Sequence, residues 1–112
     1  MLTEFLRAKI RDLKVTRSCL DYEGSLTLDK ALMEASNMYP YQKVQILDAD
    51  NGARIETYLI EGGPGVCEIN GPACHLIDEG DTIMVLLYGF FEYEYPPPPR
   101  IVSASAFYKK ST

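Results

Sequence analysis

The side chains able to do chemistry fall into four short stretches. Lys9 belongs to a run of bases, Arg7, Lys9, Arg11, Lys14 and Arg17. Such a local cluster can hold an anion even though the chain carries a net charge of −5. Gly24-Ser25 lies inside Tyr22-Glu23-Gly24-Ser25-Leu26-Thr27-Leu28-Asp29, Arg54 stands three residues ahead of Thr57-Tyr58, and Asn70-Gly71 comes shortly before Ala73-Cys74. The Arg54 guanidinium is a planar fork suited to two-point contact with a carboxylate, and Lys9 offers a mobile point charge. The Tyr58 phenol acts as an acid when it is held close to a basic carbon. Each stretch also has a plainer reading. Gly24-Ser25 and Asn70-Gly71 are turn dipeptides, Lys9 and Arg54 are solvated bases, and Thr57 and Tyr58 are strand residues.

Composition narrows the classes. With 112 residues, 46% of them apolar, the chain reads as one domain (1–112) with a single core. Its acidic balance argues against nucleic acid as a partner. Cys19, Cys67 and Cys74 form no CxxC pair, and His75 is the single histidine, so a structural zinc site is not expected. Free thiols fit a reducing, cytoplasmic setting. Charges interrupt the first twelve residues, so no signal peptide is read there. The apolar run 82–91 is too short to span a membrane, and no membrane partner is expected.

The elements that must position these residues are mostly strands. Leu6, Ala8 and Ile10 alternate with Arg7, Lys9 and Arg11, giving a first strand with one apolar and one basic face. Ser25 to Leu28 is extended, and Asp29 caps a short helix with Ala31, Leu32 and Ala35 inward and Asn37 near its end. Val44 and Ile46 mark a third strand. Asn51-Gly52 predicts a type I′ hairpin turn into a strand from Arg54 to Ile60, with Arg54, Glu56 and Tyr58 on one side. Glu61 to Gly65 is a loop, Val66 to Ile69 a short strand, and Ala73 to Leu76 one helical turn. Residues 82–91 form a buried strand, Pro96 to Pro99 a polyproline spacer, and Ile101 to Tyr108 a last strand. Many short strands with one or two short helices point to a closed β-barrel.

Taken together, Lys9, the Gly24-Ser25 stretch, Arg54-x-x-Thr57-Tyr58 and Asn70-Gly71 resemble the bacterial aspartate 1-decarboxylases over about residues 1–88. The resemblance fades in the proline-rich tail. That family implies a double-psi β-barrel, a homotetramer with its site between subunits, and a covalent pyruvoyl cofactor derived from Ser25. It implies that the Ser25 hydroxyl attacks the Gly24 carbonyl, that Thr57 steadies the resulting oxyanion, and that the chain is cut between 24 and 25. Gly24 suits such a step because it tolerates strained backbone. The pyruvoyl ketone then forms a Schiff base with L-aspartate and takes up the electrons as carbon dioxide leaves, yielding β-alanine for pantothenate synthesis.

By the same resemblance Tyr58 protonates the carbanion, Lys9 and Arg54 hold the substrate carboxylates, and Asn70, Gly71, Ala73 and Cys74 line the pocket together with Thr57. Two positions depart from the family: Arg11 replaces a frequent histidine, and Pro72 replaces an alanine and removes a backbone N–H. Arg11 either reaches the pocket rim beside Lys9 or pairs with Asp12 or Glu23. Other readings are an unprocessed barrel serving as a binding module and a pyruvoyl decarboxylase for another amino acid such as glutamate. A maturation helper is a possible further partner.

Overall fold

A computed structural model describes residues 1–21 and 24–110, so Tyr22 and Glu23 of the Gly24-Ser25 stretch, and Glu23 as a partner for Arg11, lie outside the described residues. The strands are β1 (Leu2–Lys14), β2 (Arg17–Cys19), β3 (Ser25–Asp29), β4 (Lys43–Asp48), β5 (Arg54–Gly62), β6 (Cys67–Asn70), β7 (Thr82–Glu92) and β8 (Arg100–Ser103). Helix α1 covers Lys30–Ala35, α2 covers Ala104–Lys110, and a 3-10 turn spans Gly71–His75.

All eight strands join one sheet in the order β2-β6-β3-β5-β4-β7-β1-β8. Only Val15 and Thr16 separate β1, near one edge, from β2 at the other. A link that short makes the sheet curl onto itself, and Thr16 N–H donates to the Cys67 carbonyl on β6 at 2.8 Å across the seam. Parallel pairs (β1–β8, β2–β6, β3–β5) mix with antiparallel ones. The result is the mainly β, double-psi barrel type of fold expected from the sequence.

The core fills the barrel. Ala8, Ile10, Leu26, Leu28, Ile46, Leu59, Ile69 and Val85 are almost fully buried. Each large side chain among them contributes roughly 1.5–3 kcal/mol by leaving water. The alternation along β1 is broken between Ile10 and Leu13, where the register with β7 shifts. Asp12 takes φ 58° there. The extra residue leaves Arg11 and Asp12 both outside and returns Leu13 to the core.

Asp29 caps α1 as expected, its Oδ1 accepting the Ala31 N–H at 2.9 Å. The buried face of α1 is Leu32 and Met33, not Ala31, which is exposed. Larger apolar groups claim the contact with the barrel. The Asn51-Gly52 turn is not type I′, because Gly52 takes φ 79° while Asn51 has no positive φ. Asn51 instead accepts the Ala53 N–H (2.8 Å) and donates to the Leu76 carbonyl (2.6 Å), so residues 49–53 form a longer loop. The expected strand Ile101–Tyr108 ends at Ser103. Ser103 Oγ accepts the Ala106 N–H at 3.3 Å and starts α2.

Helix α2 is fastened to the barrel. Ala104 is 1% exposed, and Phe107 and Tyr108 pack on the core with their rings edge to face, centroids 5.2 Å apart. The Tyr108 hydroxyl donates to Asp29 Oδ2 at 2.9 Å, and Gly65 N–H donates to the same oxygen at 2.9 Å. Burial pushes the Asp29 carboxyl up, but these hydrogen bonds, with those from Ala31 and Leu32, outweigh it and hold its pKa below 3.8. Burial, then the Glu68 charge, lifts the Cys67 thiol to about 12, so it stays protonated. No helix among the described residues is long and apolar enough to cross a membrane.

Candidate active site around Gly24 and Ser25

Strand β3 begins at Ser25, between β5 and β6. Ser25 pairs with Asn70 across the antiparallel β3–β6 ladder. Both are buried, at 4% and 5% exposure. The Asn70 amide Nδ2 donates to Ser25 Oγ at 3.0 Å and to Thr27 Oγ1 at 2.8 Å. One amide thus fixes two hydroxyls on the same face of β3. Since Ser25 Oγ accepts this bond, its own hydrogen remains available for another acceptor. Gly71 follows with φ 83°, which a residue with a Cβ would resist, and turns the chain directly into Pro72 and Ala73.

On the other side, β3 runs parallel to β5 with Leu26 opposite Leu59. Ser25 and Gly24 precede Leu26 in the chain as Tyr58 and Thr57 precede Leu59. A cavity of about 440 Å³ opens here, lined by Gly24, Thr57, Tyr58, Pro72, Ala73 and Leu76, with Ile55 and Glu56 completing the wall. The half-buried Tyr58 side chain makes no hydrogen bond among the described residues, so its hydroxyl is free to meet a ligand. A Cβ placed on Gly24 meets nothing within 4 Å. Space is therefore not what reserves that position for glycine.

The structure brings Gly24, Thr57, Tyr58 and Ala73 to one opening. Ser25, which follows Gly24, and Asn70 and Gly71, which precede Pro72, adjoin it in the chain without lining it. Cys74 is half-buried in the 3-10 turn beside it but does not line the cavity, and His75 is exposed at the end of that turn. Lys9 and Arg54 are elsewhere within a single chain. Arg54 lines a second cleft, of about 660 Å³, with Gln45, Glu56, Tyr88 and Phe90 among its neighbours. Its Nη1 donates to Gln45 Oε1 at 2.6 Å. Lys9 lies mid-strand in β1, between Leu86 of β7 and Ile101 of β8, and lines neither opening. Glu56 faces both openings and pairs with Lys43 at 3.1 Å.

Arg11 does not line the cavity. Its Nη1 is 3.8 Å from Asp12 Oδ2, the alternative to a rim position, and an exposed pair at that distance is worth little. Sequence reasoning missed Thr27. The signal was its place two residues after Ser25 on a strand, which puts both hydroxyls on one face.

These features define a class: a small closed β-barrel whose buried serine, preceded by glycine, is held by an asparagine amide beside a tyrosine-lined cavity. A family model described as aspartate decarboxylase matches residues 1–106, and the chain belongs to that family. It is 46% identical to an aspartate 1-decarboxylase of Cytophaga hutchinsonii, over 84% of each chain. It is 44% identical to one from Dehalococcoides mccartyi, over 80% of this chain and 73% of the relative. A Clostridium botulinum relative of the same name is 47% identical over 79% of this chain and 71% of its own.

Proposed function

We propose that this protein cuts itself between Gly24 and Ser25 and then decarboxylates L-aspartate to β-alanine, using a pyruvoyl group made from Ser25. The observation that carries the reading is the buried Ser25 hydroxyl, held by Asn70 and directly after Gly24, which lines a cavity with Thr57 and Tyr58. In the first step Ser25 Oγ bonds to the Gly24 carbonyl carbon and the peptide C–N bond breaks, leaving an ester and a free amine. Thr57, which lines the cavity with Gly24, donates to the oxygen that becomes negative in between. Loss of the Cα proton expels the Gly24 carboxylate by β-elimination. Water then replaces the nitrogen at position 25, releasing ammonia and leaving a ketone.

The residues present fit such a group, since a keto oxygen at position 25 can accept the Asn70 N–H that Ser25 Oγ now accepts. When formed, the pyruvoyl carbonyl supplies an electrophile for the substrate amine and a sink for the electrons released with carbon dioxide. Tyr58, adjacent across β3–β5, delivers a proton to the substrate Cα from its unengaged hydroxyl. Ala73, Pro72 and Leu76 close the cavity wall and limit the room for the substrate chain.

The substrate carboxylates need cations, and Arg54 and Lys9 are not at this cavity in one chain. A homotetramer accounts for that separation. Tyr88 and Phe90 are exposed at the Arg54 cleft, at 37% and 65%, and form an apolar rim suited to a second copy. Packing there brings the Arg54 of one subunit to the Gly24–Ser25 end of another.

Intact mass and denaturing electrophoresis of the purified chain test the reading directly. Expected are fragments 1–24 and 25–112, the larger lighter by one ammonia than its hydrolysis product, and release of carbon dioxide from aspartate in preference to glutamate. Fragments that form only after adding cell extract place a helper protein at this step. A chain that stays intact on prolonged warming, with or without extract, overturns the proposal and leaves a binding module.

A further inference from the structure

Away from the cavity, three carboxylates meet where the β4–β5 loop touches the start of β7. Asp48 ends β4, Asp50 lies in the loop, and Asp81 stands one residue before β7. Oxygens from the three come within 4.8 Å of one another. Asp48 is 2% exposed. Its Oδ1 accepts the Asp50 N–H at 2.8 Å, but its buried Oδ2 has no hydrogen-bond partner among the described residues. A buried carboxylate oxygen without a partner is costly and calls for a positive group or a proton.

Backbone donors already fix the other two. Asp81 Oδ2 accepts the Asp78 N–H at 3.0 Å, and Asp50 Oδ2 accepts the Thr82 N–H at 3.3 Å. Among the described residues the Lys14 charge acts on Asp81, but only as the smallest of the influences on it, and it forms no ion pair with the three acids. Burial, then the adjoining Asp81 carboxyl, raises the Asp48 pKa.

We propose that Asp48, Asp50 and Asp81 form a binding site for a hard divalent cation, with Ca²⁺ the best fit. Every donor is a carboxylate oxygen, the ligand type that suits Ca²⁺ or Mg²⁺ and not the softer transition metals. Ca²⁺ accepts irregular oxygen sets, whereas Mg²⁺ demands near-ideal octahedral geometry and gives up its water reluctantly. Water completes the shell from the solvent side, where Asp50 is exposed.

The site braces the cavity at one remove. Asn51, in the same loop, donates to the Leu76 carbonyl at 2.6 Å, and Leu76 lines the cavity beside Tyr58. A cation that fixes the loop therefore steadies that wall.

The test is calcium titration of the chelator-treated full chain at neutral pH, followed by calorimetry and thermal unfolding. Wild type, Asp50→Asn and Asp48→Asn are compared. Asp50 is exposed, so its replacement leaves the fold intact if Asp48→Asn does not. Expected are saturable binding of one Ca²⁺ per chain, a calcium-dependent rise in Tm, and loss of both in Asp50→Asn. Absence of saturable heat with millimolar Ca²⁺ or Mg²⁺ overturns the proposal. So does a Tm rise of equal size in wild type and Asp50→Asn, which is screening of the net negative charge. Stability that climbs on acidification, is insensitive to calcium and is flattened by Asp48→Asn assigns a shared proton between Asp48 and Asp81 and equally overturns it.

Discussion

Replacing Asn70 with alanine removes the one amide that holds Ser25 and Thr27. Two hydrogen bonds disappear, of 3.0 and 2.8 Å. Each contributes about 0.5–1.5 kcal/mol, so the folded state loses about 1–3 kcal/mol. Only the Ser25 bond aims the attacking hydroxyl. If its full worth is felt in the transition state for cleavage, processing slows by about 2- to 13-fold. The assay is the time course of fragment formation by freshly purified chain, on denaturing gels with intact mass as a check. Thr27→Val is the control, because it deletes the second bond and leaves the first. It should lower Tm while fragment formation keeps its normal rate. Asn70→Ala processed at the wild-type rate, with a lowered Tm, would show that the Ser25–Asn70 bond serves the fold alone. Equal slowing in both variants would refute the division between the two bonds.

Three further outcomes are expected. Tyr58→Phe should lower kcat with little change in KM, because only the proton donor is lost; unchanged turnover would assign protonation to another group. Arg54→Ala and Ser25→Ala should each be inactive alone, yet activity should return when the two are unfolded and reassembled together, since a mixed oligomer contains sites with both residues intact. No recovery in mixed assemblies would refute a site shared between copies. Tyr108→Phe should cost about 1–3 kcal/mol by removing a donor from the buried Asp29 carboxylate. The folded Asp29 pKa is depressed, so the stability it supplies is present above 3.8 and is lost as pH falls through the lower folded value. The gap between wild type and variant should therefore be widest near neutrality and close in strong acid, as read by chemical denaturation.

Local rules were legible in the sequence wherever one residue decides the outcome. Asp29 precedes apolar helical residues and caps α1, and Val44 and Ile46 alternate into the core of β4. The rules misled where a side chain had a choice. Asn51 could supply a positive φ to a tight turn, but it spends its amide on the Leu76 carbonyl, a partner 25 residues away. Ile101 to Tyr108 alternates plausibly as a strand, yet the Ser103 hydroxyl captures a backbone N–H and turns the second half helical. The grouping of Gly24, Thr57, Tyr58 and Ala73 followed from the family resemblance, while the strand register that aligns them was not visible in the sequence. The remoteness of Arg54 and Lys9 from the cavity was equally hidden, because spacing along the chain does not say which opening a strand residue faces.

The two-residue link between β1 and β2 has a consequence for the order of events in the cell. The proposed cut after residue 24 would free no peptide, since β1 would stay hydrogen-bonded between β7 and β8 and β2 beside β6. The covalent chain is needed to find this arrangement, in which Leu2 lies opposite Glu92, and not to keep it. Folding must therefore precede the proposed cleavage. Once cut and denatured, the two pieces must meet by diffusion before the sheet can close, so recovery becomes concentration-dependent. Such a cut would turn a self-assembling chain into an object that is durable only for as long as it is never taken apart.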